Sequence, residues 1–215
     1  GPVDFAEARR LLGLAAAQGH AGGQYMLGLM HSKGQGGPED FIEARRLYGL
    51  AAAQGHALAQ YMLGIMHYDG RGGPVDFAET RRLYGLAAAQ GHAESQCVLG
   101  RMHRDGQGGP IDVLEARRLF GLAAAQGCAE AQYVLGCMLN NGEGGPKDSA
   151  EARRLLGLAA AQGHAAAQEA LDLLDRAAEE QLAKQQAKAD AMMAKLLAED
   201  AEEKKAKGAP KTTKS

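Results

Sequence analysis

The chain copies itself every 36 residues. Pro2, Pro38, Pro74, Pro110 and Pro146 stand in one register, and Asp4, Asp40, Asp76, Asp112 and Asp148 in another. Gly19, Gly55, Gly91, Gly127 and Gly163 form a third, and no insertion breaks any of them. A period of this length marks a repeat array, in which a single unit is too small to bury its own apolar face and must stack on its neighbours.

The punctuation inside one period predicts two helices. Asp4 follows Pro2 as a helix N-cap, and the stretch FAEARRLLGLAAAQ then puts Phe5, Ala8, Leu11, Leu12, Ala15 and Ala16 on one face at helical spacing. Gly19 is placed to end that helix in a left-handed conformation. A second helix is expected from about Ala21 to Ser32, with Leu27 and Met30 inward, stopping at Gly34, Gly36, Gly37 and Pro38. Antiparallel helix pairs stacked on copies of themselves make an all-α fold, a right-handed α/α superhelix (solenoid).

The unit AQYMLGIMHYDGRGGPVDFAETRRLYGLAAAQGHA, residues 59–93, resembles the Sel-1-like repeat, a relative of the tetratricopeptide repeat. The likeness extends over residues 1 to about 174. Three departures stand out. His31, His67 and His103 occupy a position where the family usually has an aromatic residue. A Gly-Pro pair replaces the small aliphatic residue after the second loop glycine, and Leu14 and its equivalents sit at a position that is often charged.

In the family's phase, residues 1–19 are a half unit and full hairpins cover about 20–55, 56–91, 92–127 and 128–163. A capping helix is expected from about Ala165. There Leu171 keeps the Leu27 position, but Asp172 replaces the following glycine and no glycine loop comes after it. Strong helix formers continue, so residues 175–204 are expected as a charged helical extension and 205–215 as a disordered tail. Leu182, Ala189 and Leu196 make only a poor heptad seam, which favours a solvent-facing helix over a coiled coil. Gly1 and Pro2 fall in register with Gly37 and Pro38, so the chain is expected to be cut from a longer one.

The formal net charge of −2 gives no pull toward nucleic acid or anionic membrane, and no apolar run approaches the roughly 18 residues of a membrane span. Cys97, Cys128 and Cys137 are odd in number and lack a repeating spacing. They argue against a disulfide framework and toward a reducing, cytoplasmic compartment.

The seven histidines suggest a site, and their arrangement argues against one. His31, His67 and His103 form a ladder along the stack. Neighbouring helices are roughly 8–10 Å apart, whereas zinc gathers its donors at about 2 Å from one ion. No metal or cofactor is therefore expected. In the second ladder, His20, His56, His92 and His164, the fourth rung is Cys128. A catalytic base does not tolerate that exchange, but a structural joint does. The glycine loops, such as DGRGGPVD, lack the Gly-Lys-Ser/Thr ending of a phosphate cradle and are accounted for by turn chemistry. Each arginine pair, such as Arg45 and Arg46, has its second member three residues after a glutamate such as Glu43. That spacing neutralises half of an apparent basic track, and nucleic acid is not an expected partner.

Two features remain as surface. The column Leu14, Leu50, Leu86, Leu122 and Leu158 lies on a helix flank; packing against the next hairpin is the simpler expectation, an exposed apolar stripe the other. The second feature is where copies disagree: Leu29, Ile65, Arg101 and Cys137; Ser32, Tyr68, Arg104 and Asn140; Lys33, Asp69, Asp105 and Asn141. These slots change while the rest is copied, so stacking does not depend on them. By resemblance to tetratricopeptide arrays, their helix lines a concave groove for partner peptides. The expectation is a non-catalytic scaffold or adaptor that binds other proteins or peptides or bridges subunits, without inserting in a membrane. A purely architectural spacer is the alternative. Some cysteine-rich members of the family are penicillin-binding or β-lactamase proteins, but they carry a cysteine pair bridging each hairpin. Here only Cys128 and Cys137 share one hairpin.

Overall fold

The computed structural model describes residues 4–208, among which there are ten α-helices and no strand. They run α1 (Phe5–Ala17), α2 (Ala21–Ser32), α3 (Phe41–Ala53), α4 (Ala57–Asp69), α5 (Phe77–Ala89), α6 (Ala93–Asp105), α7 (Val113–Ala125), α8 (Ala129–Asn141), α9 (Ser149–Ala161) and α10 (Ala165–Gly208). From α1 to α9 each helix packs on the next, most extensively within the pairs α2/α3, α4/α5, α6/α7 and α8/α9. The predicted solenoid of helix pairs is the observed architecture.

The two helices of a pair start by different means. The helices α3, α5, α7 and α9 begin at aspartates. Asp76, for example, accepts a hydrogen bond from the backbone N–H of Glu79 at 2.9 Å. The helices α2, α4 and α6 begin at histidines. Nδ1 of His56 accepts from the N–H of Ala59 at 3.2 Å, and Nδ1 of His20 from Gly23 at 3.0 Å. Both devices satisfy an N–H that the first helical turn leaves open. Asx residues are the common choice for this task; histidine does it here because its ring nitrogen lies at the same reach.

The core is a column of alanines and leucines with one buried aromatic in each of three units, Tyr48, Tyr84 and Phe120, and Leu156 in the fourth. Ala44, Tyr48, Ala51 and Ala52 of α3 pack with Ala59, Leu63 and Met66 of α4 and with Leu83 of α5. Gly64 of α4 faces the ring of Tyr84 so closely that a Cβ there would overlap it. The glycine is what lets α4 and α5 approach over a tyrosine. In the first helix Leu11 is half exposed, because no helix among the described residues covers that side.

The loop joining the helices of a pair also touches the preceding pair. Gly72 has φ +69, and a Cβ on it would meet the carbonyl of Phe41. Only glycine satisfies both demands at once. The chain divides into two compact units between Gln168 and Glu169. The second unit is the remainder of α10, fully exposed from Asp175 onward among the residues described there, with lengthwise ion pairs such as Lys204 to Asp200 at 2.7 Å. Helix α10 continues to Gly208, past the expected end at 204, and the rest of the expected tail lies outside the described residues.

Candidate functional site: the copy-variable slots and the leucine flank

The repeated arginines are consumed by the stack. The second member of each pair binds its own glutamate, as Arg46 does Glu43 at 2.7 Å. That contact holds the Glu43 carboxyl below its ordinary range. The first member of the first four pairs, Arg9, Arg45, Arg81 and Arg117, reaches into the following hairpin. Nη2 of Arg45 donates to Nδ1 of His67 at 2.8 Å and to the carbonyl of Pro74 at 3.4 Å. Arg9 contacts His31 and Arg81 contacts His103 in the same way, each at 2.7 Å. Gly37, Gly73 and Gly109 leave the space that the guanidinium fills. Where the ladder breaks, at Leu139, Arg117 still donates to the carbonyls of Glu143 and Pro146 at 3.1 and 3.0 Å. Partial burial, and then the facing arginine, push His31, His67 and His103 below the ordinary histidine range. These rings are neutral clamps.

The second histidine ladder is the capping set described above. Its rings also lie against tyrosines of the preceding hairpin: Tyr25 on His56 at 5.0 Å, Tyr61 on His92 at 4.8 Å and Tyr133 on His164 at 4.6 Å between centroids. The glutamine next to it is a further joint. Gln90 Nε2 donates to Oε1 of Gln60 at 2.8 Å, and the buried Gln60 donates to the carbonyl of Ala52 at 3.2 Å. The motif AAAQGHA is thus a hydrogen-bonded seam between hairpins. Sequence reasoning saw that it was structural but missed the glutamine chain, whose signal was only its unbroken recurrence.

The copy-variable slots lie where α2, α4, α6 and α8 meet solvent. Lys33, Tyr68, Asp69, Arg101, Asp105 and Asn141 are exposed, and Leu29, Ser32, Ile65, Arg104, Cys137 and Asn140 are half buried. Some are held in place locally. Ser32 Oγ lies 3.3 Å from the Tyr48 hydroxyl, and Tyr68 stacks edge-on against Phe77 at 5.3 Å. Arg104 contacts its neighbour Asp105 at 3.0 Å, while Asn141 donates to Glu143 at 3.0 Å. The set changes along the array from Leu29 and Ser32, through Ile65 and Tyr68, to Arg101 and Arg104.

The leucine column departs from the simpler expectation. Leu14, Leu50, Leu86, Leu122 and Leu158 are between 41% and 53% exposed. They stay half exposed because the small residues of the preceding hairpin that face them leave the space beside them open. Each of Leu50, Leu86, Leu122 and Leu158 borders a shallow cleft of about 400–460 Å³. Gly85, Ala88 and Ala89 floor one such cleft, with Glu115 and Arg118 at its edge.

Among the described residues no three His, Cys, Asp or Glu side chains converge to hold a metal, and no helix is long and apolar enough to cross a membrane.

Comparison with known proteins places this geometry. The family model described as Sel1 repeat matches residues 1–20, 21–56, 57–92, 93–128 and 129–164. One similar solved structure is a protective antigen present in uropathogenic Escherichia coli strains, displaying an SLR fold. It has a TM-score of 0.71 and 33% identity over 74% of this chain and 34% of that one. Another is a Sel1 repeat protein from Oxalobacter formigenes, with a TM-score of 0.69 and 30% identity over 77% of this chain and 66% of that one. The chain thus spans about a third of the first and just under two thirds of the second. No curated protein matches significantly. Sel1 repeat proteins are in general non-catalytic repeat scaffolds that mediate protein interactions. With its repeats matched from residue 1 to residue 164, the chain belongs to the Sel1 repeat family.

Proposed function

We propose that this chain is a non-catalytic adaptor that holds partner proteins or peptides on the face formed by the variable slots of α2, α4, α6 and α8. One observation carries this reading. The residues that clamp, cap and pack the stack are copied from unit to unit with few exchanges, such as Leu139 and Cys128, while these slots change throughout and keep contact with solvent. In a solenoid, stability comes from neighbour contacts, so a face outside those contacts is free to carry specificity. Tyr68, Arg101 and Arg104 are its centre: aromatic and guanidinium side chains concentrate binding energy at protein interfaces.

The test is a pull-down from the source organism with the purified array and with a variant in which Tyr68, Arg101 and Arg104 are alanine. Circular dichroism of both chains shows whether the fold is kept. Proteins retained by the array and lost by the folded variant support the adaptor. Equal retention by both removes the face from consideration, and retention by neither supports a spacer.

A further inference from the structure

The seam between hairpins is made the same way at three of its four positions. Tyr25, Tyr61 and Tyr133 each cover the capping histidine of the next hairpin, respectively His56, His92 and His164. At the remaining seam both members are exchanged together. Cys97 stands in the tyrosine position on α6 and Cys128 in the histidine position before α8. Cys97 is buried, and Cys128, partly buried, packs against the same apolar cluster across the seam. The exchange has a cost. α8 starts without any side-chain cap, whereas its counterparts α2, α4 and α6 each have one. The ring contact is lost as well. A single cysteine would be a tolerated defect, but here two cysteines face each other across one seam.

We propose that Cys97 and Cys128 form a reversible disulfide that staples the third hairpin to the fourth. The oxidant is a low-molecular-weight disulfide such as oxidised glutathione. Cys128, half exposed, is the point of entry. Its thiolate attacks one sulfur of the small disulfide, forms a mixed disulfide and expels one thiolate. The Cys97 thiolate then attacks Cys128 Sγ and expels the second. Two protein thiols are oxidised, one small disulfide is reduced to two thiols, and the two cysteine protons pass to the expelled thiolates. Burial pushes the Cys97 thiol up to about 12, so the closing step is slow at neutral pH and speeds up with alkalinity. The bond ties α6 to α8, between two hairpins and not within one. All three cysteines are free thiols in this structure, and the proposed bond departs from the expectation that they do not pair. Cys137, further along α8, is the thiol left over.

The whole chain is incubated with oxidised glutathione, quenched by alkylation and mapped by non-reducing peptide mass spectrometry. The expected result is a peptide pair joined through Cys97 and Cys128. It is reversed by dithiothreitol and kept in Cys137→Ser, with a rise in Tm on the order of 10 °C for the oxidised chain. The double variant Cys97→Tyr, Cys128→His rebuilds the seam of the other repeats. It should fold and show no oxidant-dependent rise in Tm. Cys97 recovered fully alkylated after oxidation would overturn the proposal. So would cross-links running only through Cys137 or between chains, or an equal rise in Tm in the double variant.

Discussion

Arg45 of α3 donates to Nδ1 of His67 in α4 at 2.8 Å, joining one hairpin to the next through two side chains that the sequence repeats three times over. A guanidinium can only donate, so Nδ1 of His67 is the acceptor and the ring is unprotonated there. The same guanidinium reaches the carbonyls of Pro74 and Arg71, each at 3.4 Å. What looks like the start of a basic track is a clamp facing the interior of the seam.

The clamp depends more on its arginine than on its histidine. Arg45→Ala removes every one of these bonds and is expected to cost about 1–2 kcal/mol. His67→Leu copies the natural arrangement at Leu139, where Arg117 keeps its carbonyl partners, and is expected to cost less. Urea unfolding of both variants checks the order; a costlier histidine replacement would contradict it.

The clamp also sets a pH dependence. His31, His67 and His103 are held below the ordinary value of 6.5, first by burial and then by Arg9, Arg45 and Arg81, against weaker opposing pulls from Glu43, Glu79 and Glu115 and from Asp40, Asp76 and Asp112. Between the lowered folded value and 6.5, the unfolded chain holds more protons than the folded one. Stability therefore rises with pH through this window and is lost as pH falls below 6.5. The array should melt at a lower temperature at about pH 5.5 than at about pH 7.5. Replacing all three histidines by leucine should flatten that slope. The glutamates that pair with arginine are lowered from 4.5, so their loss falls in a separate, more acid window.

Two glycines of one hairpin should respond oppositely to alanine. Gly85 lies mid-helix in α5 with nothing within 4 Å of an added Cβ. Gly85→Ala is expected to stabilise by roughly 0.5–1 kcal/mol, the helical preference for alanine. Gly64 faces the Tyr84 ring at 2.5 Å from an added Cβ, so Gly64→Ala should destabilise by about 1–3 kcal/mol. Thermal melts of the two single variants decide the matter, and matching signs would contradict the packing described.

Much of this was legible in the sequence because repetition exposes it. The Asp76 cap, the left-handed Gly55 and the inward Leu47 recur in register with their counterparts, so helix pairs and stacking follow from spacing alone. Contacts between units were not legible in the same way. Arg45 and His67 lie 22 residues apart, and nothing in either helix's own pattern points to the other. Cys97 and Cys128 share no hairpin, and only the fold shows that their positions meet in one apolar cluster across a seam. The leucine flank was misjudged for a related reason. A helical wheel places Leu86 beside Leu83, but it cannot show that the glycine and alanines of the preceding hairpin leave an open cleft beside it.

The adaptor reading is tested most directly by photo-crosslinking from the variable face itself. A photoreactive amino acid is placed singly at Tyr68, Arg101 or Arg104 in the native cell, with the exposed Leu50 and Leu86 of the leucine column as comparison sites. The account predicts adducts with the same partner protein from positions 68, 101 and 104 and none from 50 or 86. Adducts confined to the leucine flank, or none from any of the five positions, would contradict it.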